Sequence, residues 1–570
     1  MMDMRLAVTD LLREAILSAF PDLPADNLPG PEALEVPPDS SLGDFAFPCF
    51  RLAKPLRMAP PKIAEAVARA VNRPDLASAQ PVNGYVNFFF HRAHFARDVL
   101  EEVAAKGKGY GGVDDAGKTC VLDYSSINIA KRFHIGHLYS TAIGHSLNRI
   151  YRHLGWQTVG INHLGDWGTQ FGKMIAAFLR WGSWEMVEKG GIDALTGLYV
   201  RFHQEAEGNP ALEDEGRKWF KKIEDGDPEA LSIFERFKEM TLQDARRVYD
   251  LLGITFDSYN GEAFFNDKMD RVVEELRAKN LLVESEGAQV VDLEAWKMPP
   301  CLILKSDGAT IYATRDLAAA LWRKDTYQFD KCLYVVAYQQ NLHFQQVFKV
   351  LELMGYDWAR TQMEHVSYGM VSFEGQAMAT REGRVVYLDD LLARAQEKAL
   401  DIIREKSPGL QNPESAAKAV GIGAVVFATL QNNRIKDMDF WWDRALNFDG
   451  DTGPYVQYTH ARCCSVLRRA PELAAQPDYE ALTNDEAQAV LRLLARFKEA
   501  VQAARQENEP YLVTRATLDI AKAFNKYYYE HRILEGAPEA IQARLALTRA
   551  VKDVIALGLY LIGVDAPEQM

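Results

Sequence analysis

A strand, a polar loop, a helix and a second strand follow one another between residues 120 and 162. The strand patterns are Cys120–Tyr124 and Thr158–Asn162, and the helical pattern between them runs from about Gly136 to Leu154. Gly155 ends the helix, as glycine often does because it adopts left-handed conformations without strain. Two strands joined by a crossover helix lie parallel, with ligands at their carboxyl ends. The sequence therefore predicts a parallel β-sheet with a ligand site at this edge.

The tetrad His134-Ile-Gly-His137 occupies the junction between the first strand and the helix, where backbone N–H groups bind anions. With 12 histidines and 38 glycines in 570 residues, an H-x-G-H match arises by chance in roughly 2% of such chains. From Tyr124 to Gly165 there is no Asp or Glu, although five of the 12 histidines lie there. The basic residues of this segment are Lys131, Arg132, Arg149 and Arg152. Two surface histidines on a turn are the alternative, but this setting favours a polyphosphate site.

Length and charge limit the class of protein. A chain of 570 residues exceeds what one hydrophobic core fills, so we expect three or more domains. The 65 Lys and Arg against 79 Asp and Glu give a net charge of -14, which excludes a uniformly basic coat for nucleic acid. A local basic groove is compatible with this balance, because phosphate binding depends on where the charges lie.

Six cysteines without C-x-x-C spacing, and without a Cys/His cluster of zinc spacing, indicate a reducing compartment. The longest nearly apolar run, Ala419–Leu430, is too short to cross a bilayer. Charged residues among the leucines of the N-terminus favour an amphipathic helix over a signal peptide. We therefore predict a cytoplasmic protein with no structural metal and no membrane contact.

The pattern changes several times along the chain. Residues 1–115 have the pattern of a small α+β unit, and residues 183–300 are helix-rich and charged, which indicates an insertion between two halves of the sheet. The sheet is expected to resume with the strands Cys301–Leu304 and Lys331–Ala337. From about 440 onward we expect only helices.

Longer segments around the tetrad are distinctive. They are Ser125-Ser-Ile-Asn-Ile-Ala-Lys-Arg-Phe-His-Ile-Gly-His137 and Asn162-His-Leu-Gly-Asp-Trp-Gly-Thr-Gln-Phe-Gly172. Further segments follow in the order Tyr312-Ala-Thr-Arg-Asp-Leu317, Gln340-Asn-Leu-His-Phe-Gln-Gln346, Met378-Ala-Thr-Arg-Glu-Gly383, Asp451-Thr-Gly-Pro-Tyr-Val-Gln-Tyr458 and Ala566-Pro-Glu-Gln-Met570. In these segments and in their order, the chain closely resembles the class I arginyl-tRNA synthetases over essentially its whole length.

The resemblance implies a multidomain α/β protein. Its parts are a small α+β tRNA-contacting domain over 1–115, a Rossmann-type parallel-sheet catalytic domain over 116–440 with a helical insertion at about 183–300, and an all-α anticodon-binding domain over 441–570. The implied enzyme joins L-arginine to ATP as arginyl-adenylate and releases pyrophosphate. It then passes the arginyl group to tRNA(Arg) and releases AMP. We expect Mg²⁺ to accompany ATP and the chain to be a monomer.

By the same resemblance, the tetrad binds the nucleotide. His134 and His137 are expected to contact the α-phosphate side of ATP, and Gly136 lets the backbone approach closely. Lys131, just before the tetrad, supplies positive charge for the transition state. His343 is assigned to ATP binding as well.

A second phosphate-binding loop is expected at Met378-Ala-Thr-Arg-Glu-Gly383, in the place of the second class I motif, best known as Lys-Met-Ser-Lys-Ser. Met378, Thr380 and Arg381 are assigned to ATP, and Arg381 would clamp the phosphates. Glu382 departs from the family pattern, since a lysine is common there, and an acid beside pyrophosphate is unfavourable unless it points away. A solvated turn is the alternative interpretation of this loop taken alone.

Recognition of arginine requires planar acceptors for a guanidinium, and a carboxylate is the natural partner. The resemblance assigns this pocket to Asn128, His134, Tyr312, Asp316, Gln340 and Glu262. Tyr312 and Asp316 are four residues apart, on one face of a predicted helix. Without the resemblance, Asp316 would be an ordinary exposed helix acid and Tyr312 a core residue.

The helical C-terminal region supplies the residues assigned to tRNA, which are Tyr455, Tyr458, Tyr528 and Arg462. Unstacked bases stack on aromatic side chains while basic groups follow the phosphates. Several of the tyrosines in this region could instead belong to the core.

Three other functions compete with the implied one. Small nucleotidylyltransferases share H-x-G-H but leave the C-terminal helices without a role. Class I synthetases for cysteine or methionine would need other pocket residues. An inactive paralogue that binds tRNA is favoured only by Glu382.

Overall fold

The computed structural model describes residues 4–113, 116–306, 308–377, 386–473 and 475–570, with the side chains of residues 40 and 377 excepted. The chain divides into two units. One comprises the residues up to Tyr110 together with Cys463–Arg496 and Lys522–Val554. The other comprises Gly111–Arg462, Phe497–Ala521 and Ile555–Met570.

The N-terminal part of the first unit is a small α+β fold. Its elements are α1 (Met4–Ala19), β1 (Phe45–Pro48), α2 (Ala53–Leu56), α3 (Pro60–Ala70), β2 (Ala77–Val82), β3 (Tyr85–Phe90) and α4 (Arg92–Lys106). The three strands form an antiparallel sheet in the order β1-β3-β2. Val8, Ile63 and Phe88 are fully buried in its core. The small α+β pattern predicted for this region is therefore confirmed.

The second unit begins with the predicted strand–helix–strand unit, here β4 (Thr119–Asp123), α5 (Ile135–His153) and β5 (Gln157–Ile161). The two strands pair in parallel, with Leu122 opposite Gly160. Gly155 lies in the left-handed region at φ +86°, which allows the turn from the helix into β5.

Helices dominate the segment that follows β5. They are α6 (Thr169–Trp181), α7 (Trp184–Ala206), α8 (Pro210–Glu224), α9 (Pro228–Leu252) and α10 (Met269–Ala278). A three-stranded sheet of β6 (Leu282–Ser285), β7 (Ala288–Val291) and β8 (Cys301–Leu304) follows, and its strands pair antiparallel. The prediction that Cys301–Leu304 resumes the parallel sheet is therefore wrong. The segment is a strand, as predicted, but its pairing with β7 places it in a separate sheet.

The parallel sheet is completed by the next elements, which are α11 (Tyr312–Tyr327), β9 (Lys331–Tyr334), α12 (Asn341–Leu353), α13 (Trp358–Gln362) and β10 (Met363–His365). The strand order is β10-β9-β4-β5, with parallel pairs throughout. The chain leaves β4 toward β5 on one side, whereas β9 and β10 lie on the other. The order therefore reverses between β4 and β9, and ligands of open α/β sheets bind at such a switch point.

The rest of the chain adds a small mixed sheet and many helices. These elements are β11 (Val371–Phe373), β12 (Gln376–Ala377), α14 (Leu388–Lys406), α15 (Pro413–Leu430), β13 (Met438–Phe440), α16 (Trp442–Ala445), α17 (Gly453–Arg468), α18 (Asp485–Gln506), α19 (Tyr511–Glu530) and α20 (Pro538–Leu561). The small sheet has the order β12-β11-β13. After β13 the described residues form helices and their connections, as predicted. Within the described ranges, no helix combines the length and apolar character that a membrane span requires.

Candidate functional site

The loop from β4 to α5 has an unusual backbone. Three of its residues that are not glycine have positive φ, namely Ser125 at 73°, Ser126 at 47° and Ala130 at 61°. Such conformations persist only where surrounding contacts hold them, and they cluster at functional sites. One such contact is a hydrogen bond of 2.9 Å that the N–H of Ala130 donates to Oγ1 of Thr241, a residue of α9.

The two histidines of the tetrad form the N-terminal cap of α5. The N–H of Gly136 donates to His134 Nδ1 at 3.1 Å, and the N–H of His134 donates to His137 Nδ1 at 3.2 Å. The ring centroids lie 3.8 Å apart. Because each Nδ1 accepts a hydrogen bond, the proton of each neutral ring resides on Nε2. Both histidines therefore have an Nε2–H available as a donor.

Both rings are neutral near pH 7. Burial, helped by the charge of Lys131, lowers the pKa of His134 to about 4. Burial also lowers the pKa of His137 well below its ordinary value, and His134 and Lys131 add to the effect. The pair can therefore donate hydrogen bonds to phosphate oxygens without first gaining a proton.

Gly136 is constrained by its own neighbour. A Cβ at this position would lie 2.9 Å from Cε1 of His134, which is closer than real contacts. The sequence predicted that Gly136 admits the nucleotide to the backbone. The structure adds that the glycine also makes room for the His134 ring, which turns back to cap the helix.

Of the four basic residues in the acid-free segment, one lies exposed beside the histidines. That residue is Lys131. Arg149 lies 15 residues after His134, which is roughly 20 Å along a helix, and it donates to the Tyr560 carbonyl at 2.6 Å. Arg152, at the same end of α5, donates to Thr158 Oγ1 at 2.9 Å. Two of the four basic residues of the segment therefore lie toward the far end of α5, away from the histidine pair.

Arg132 is also withdrawn from a phosphate role. Its Nη2 donates to both carboxylate oxygens of Asp389, at 2.8 and 2.7 Å. The charge of its guanidinium is therefore met by protein carboxylates on α14.

Asp316 and His343, which the sequence assigned to arginine and to ATP, lie in direct contact. His343 Nε2 is 2.6 Å from Asp316 Oδ2. Asp316 lies on α11 and His343 on α12, so the two helices that flank β9 bring them together. Burial alone would raise the pKa of Asp316, but the hydrogen bond from His343 and nearby positive charge lower it overall. Asp316 is therefore a carboxylate at neutral pH.

The remaining residues assigned to arginine are spread over several elements. Tyr312 begins α11, four residues before Asp316, and is 66% exposed. Gln340 is exposed at the start of α12. Asn128 is half-buried in the β4–α5 loop, beside Gly165. A Cβ added to Gly165 would lie only 2.2 Å from Asn128 Oδ1. Gly165 is therefore needed for the close approach of this loop.

Glu262 is the first residue of the short 3₁₀ helix Glu262–Lys268, and its carboxylate lies near the guanidinium of Arg315. Its Oε2 is 3.8 Å from Nη1 of Arg315, and both side chains are largely buried. The pKa of Glu262 is raised to about 7, mainly by burial; Arg315 lowers it, and the nearby charges of Asp316 and Asp166 add smaller upward contributions. The protonation of this carboxyl group near neutral pH therefore depends on any cation that binds beside it.

Two buried networks at the site were not found from the sequence. The Arg323 guanidinium lies 2.8 Å from Asp123, at the carboxyl end of β4, and both side chains are almost fully buried. Asp123 also accepts from Ser126 Oγ at 3.0 Å. Each residue is ordinary by type and spacing, and Arg323 lies 200 positions from Asp123 in the chain, so no local pattern indicates their pairing.

The second network joins the insertion to the site. The hydroxyl of Tyr249, on α9, is 2.7 Å from Ser125 Oγ and accepts from Asn162 Nδ2 at 2.8 Å. Asn162 is fully buried at the end of β5. In the sequence, only the position of Asn162 in the family segment 162–172 marked it as a site residue. No sequence feature marked Tyr249 as one.

Other predicted site residues cannot be placed. Met378, Thr380 and Arg381, together with Glu382, lie outside the described residues. Their assignment to the phosphates of ATP stays a prediction.

The predicted tRNA residues fall in both units. Tyr455, Tyr458 and Arg462 lie on α17 in the second unit, where the Arg462 guanidinium is 4.9 Å from the Tyr458 ring centroid. Tyr528 lies on α19 in the first unit and is 37% exposed. Its neighbour Tyr527 is fully buried and belongs to the core.

Two neutral histidines cap the crossover helix at the switch point of a parallel sheet, an arrangement that fits a catalytic domain of the class I aminoacyl-tRNA synthetase type. Comparison with known families agrees. Residues 100–442 match the catalytic domain of class I tRNA synthetases (R), residues 456–570 match the DALR anticodon binding domain, and residues 7–90 match the arginyl tRNA synthetase N terminal domain. The chain belongs to the arginyl-tRNA synthetase family.

Individual relatives cover nearly the whole chain. The arginine–tRNA ligase of Alkaliphilus metalliredigens (strain QYMF) is 53% identical over 543 residues, which is 95% of this chain and 96% of that protein. The arginine–tRNA ligase of Clostridioides difficile (strain 630) is 51% identical over 574 residues and all of both chains. The Thermus thermophilus arginyl-tRNA synthetase structure superposes with a TM-score of 0.82 at 27% identity, covering 99% of this chain and 100% of that one.

Proposed function

We propose that this chain attaches L-arginine to its cognate tRNA in two steps. In the first, a carboxylate oxygen of arginine attacks the α-phosphorus of ATP, and the bond to pyrophosphate breaks. In the second, a ribose hydroxyl at the tRNA 3′ end attacks the carbonyl carbon of arginyl-adenylate, and AMP leaves. Family membership supports both the reaction and its substrates.

The observation that carries the proposal is the histidine pair. Two Nε2–H donors with rings 3.8 Å apart lie at the N-terminus of α5, the end of the helix dipole that favours anions. Donors fixed in place stabilise charge as it develops on the α-phosphate and cost no reorganisation during the reaction. His134 and His137 are assigned this role, with Lys131 as the positive charge beside them.

Magnesium is expected to enter with ATP. The segment from Tyr124 to Gly165 contains no Asp or Glu, so it offers no carboxylate ligand for the ion. Mg²⁺ prefers oxygen ligands and commonly binds to nucleotide phosphates and water. These residues fit an ion that is held by the substrate, and none of them is assigned as a ligand.

The arginine side chain is assigned to the carboxylate of Asp316. A guanidinium favours carboxylate partners, and this one is charged at neutral pH and held by His343 at 2.6 Å. Glu262 is assigned as a second acid, and Tyr312, Gln340 and Asn128 are assigned to the same pocket. Tyr455, Tyr458, Arg462 and Tyr528 are assigned to tRNA.

We further expect a monomer in the cytoplasm. All six cysteines are free and buried, which suits a reducing compartment.

The test is arginine-dependent exchange of pyrophosphate into ATP, run with and without bulk tRNA. Exchange with arginine, and not with lysine or glutamine, supports the proposal. The effect of tRNA shows whether the acceptor completes the site. No exchange under either condition, with tRNA still bound, would favour the inactive paralogue.

Lys131→Ala isolates the contribution of one charge. We expect adenylate formation to slow by about two orders of magnitude, the scale of one transition-state donor. Lys218→Ala, at an exposed lysine on α8, is the control. Full activity in the Lys131 variant would remove it from the site.

A further inference from the structure

Arg132 is two residues before His134, and carboxylates from two separate elements surround its guanidinium. Asp389 accepts two hydrogen bonds from Nη2, at 2.8 and 2.7 Å, and Asp390 accepts one at 3.3 Å. Both acids lie in the first turn of α14. A third, Asp193 on α7, is 3.5 Å from Nη1.

The same guanidinium also stacks. It lies 3.9 Å from the ring centroid of Tyr387, the residue just before α14. A planar guanidinium over an aromatic face adds a cation–π attraction to the ion pairs. The Arg132 side chain is only 14% exposed, so water screens these contacts less than it screens a surface pair.

Backbone hydrogen bonds join the same two segments on either side of His134. The N–H of Ile135 donates to the Val386 carbonyl at 3.0 Å, and the N–H of Leu388 donates to the Phe133 carbonyl at 2.9 Å. The tetrad and the start of α14 therefore form a short two-stranded contact that lies directly against the Arg132 cluster.

We propose that Arg132 is a positioning residue for the histidine pair. Through Asp389, Asp390 and Tyr387 it fastens the loop that carries the tetrad to the start of α14, and through Asp193 to the insertion. This inference rests on the proposed function, because it gives His134 and His137 their role in adenylate formation.

The backbone of the β4–α5 loop requires stabilising contacts of this kind. Its three left-handed residues other than glycine have strained backbones, and they persist only when neighbouring contacts hold them. Because the Arg132 guanidinium is bound to carboxylates, Arg132 is assigned no contact with the substrate. It acts by keeping the two Nε2–H donors in place, and a displacement of about 1 Å at such a site can cost about 100-fold in rate.

Arg132→Gln removes the charge and leaves three acids facing one another. Arg132→Lys keeps the charge but loses the forked hydrogen bonds and the stacking. Asp389→Asn removes the best acceptor while Arg132 stays in place. Arg180→Gln is the control, since Arg180, on α6, also pairs with a carboxylate, that of Glu215 on α8.

Two measurements are made on the full chain. The first is arginine-dependent pyrophosphate exchange as a function of ATP and arginine. For Arg132→Gln we expect kcat to fall about 10- to 100-fold, with the KM for arginine nearly unchanged. We expect Arg132→Lys to recover part of the loss, Asp389→Asn to be intermediate, and Arg180→Gln to match the wild type.

The second measurement is hydrogen–deuterium exchange of the Ile135 and Leu388 amides, which requires no activity. In Arg132→Gln both should exchange at least about tenfold faster, while amides of α3 stay unchanged. A purely global destabilisation would instead raise exchange throughout the chain.

The proposal is overturned if Arg132→Gln keeps kcat within twofold of the wild type, or if the two amides exchange at the wild-type rate. An equal loss in Arg180→Gln also overturns it. If Arg132→Gln does not fold, Asp389→Asn decides, and wild-type behaviour there is the refuting result. A wild-type chain without exchange activity would refute the proposed function, whereas the amide measurement would still decide whether Arg132 fastens the loop.

Discussion

Asp316→Asn separates the charge of this residue from its shape. Asparagine keeps an oxygen that can accept from His343 Nε2, now 2.6 Å from Asp316 Oδ2, so the local packing should survive. The negative charge that would attract the arginine guanidinium is lost. Any change in arginine affinity therefore reports on electrostatic recognition.

The expected magnitude follows from burial. The Asp316 side chain is 26% exposed, so its charge acts in a largely desolvated setting. A hydrogen bond to a charged group contributes about 1.5 to 3 kcal/mol. Taking about 2 kcal/mol, at 1.36 kcal/mol per tenfold change, the KM for arginine should rise roughly 30-fold.

The assay is pyrophosphate exchange with arginine varied at saturating ATP. The KM for ATP should change little, because asparagine keeps an acceptor for His343 and the substitution leaves the histidine pair intact. Asp325→Asn is the control, since Asp325 lies on the same helix, is exposed, and pairs with Arg271 on the surface. Discrimination against citrulline, which lacks the positive charge, should also weaken in Asp316→Asn.

An unchanged KM for arginine in Asp316→Asn would refute the reasoning and remove Asp316 from the pocket. A rise of the same size in the KM for ATP would instead mean that the substitution disturbs the whole site.

Four further predictions concern particular contacts. Because the pKa of Glu262 is raised to about 7, its carboxyl group is largely protonated below that pH and must ionise to pair with arginine. Arginine affinity should therefore rise with pH up to about 7 and then level off, and calorimetry in two buffers should detect the proton released on binding. Glu262→Gln should abolish both the pH dependence and the proton release. The same raised pKa makes this residue's contribution to stability fall as pH rises between 4.5 and about 7, since the folded chain holds the proton more tightly. Gly144→Ala places a Cβ 2.2 Å from Cγ of buried Tyr124 and should cost about 1 to 3 kcal/mol, and an unaltered urea midpoint would contradict this. Arg323→Leu leaves Asp123 charged and buried and should cost about 3 to 5 kcal/mol, with Asp123→Asn in the same chain recovering part of the loss in urea unfolding.

The sequence alone determined the features that depend on neighbours in the chain. The strand–loop–helix–strand unit at 120–162 follows from apolar spacing and Gly155, and it places His134 and His137 at a helix N-terminus. The sequence also places Tyr312 and Asp316 on one face of a helix, because residues four apart in a helix are neighbours. The family was also determined at this level, since ordered motifs extend over most of the chain.

Only the tertiary structure decided which strands pair and which charges meet. Cys301–Leu304 has the pattern of a buried strand, but nothing local shows that it pairs with β7. Lys131 and Arg132 are adjacent and similar in charge, yet one is exposed and the other binds Asp389, 257 residues further along the chain. Local patterns report the conformation of a segment and which of its faces is apolar. The partner of a charge or of a strand edge depends on which distant segments folding brings within about 4 Å, and the spacing of residues along the chain contains no such information.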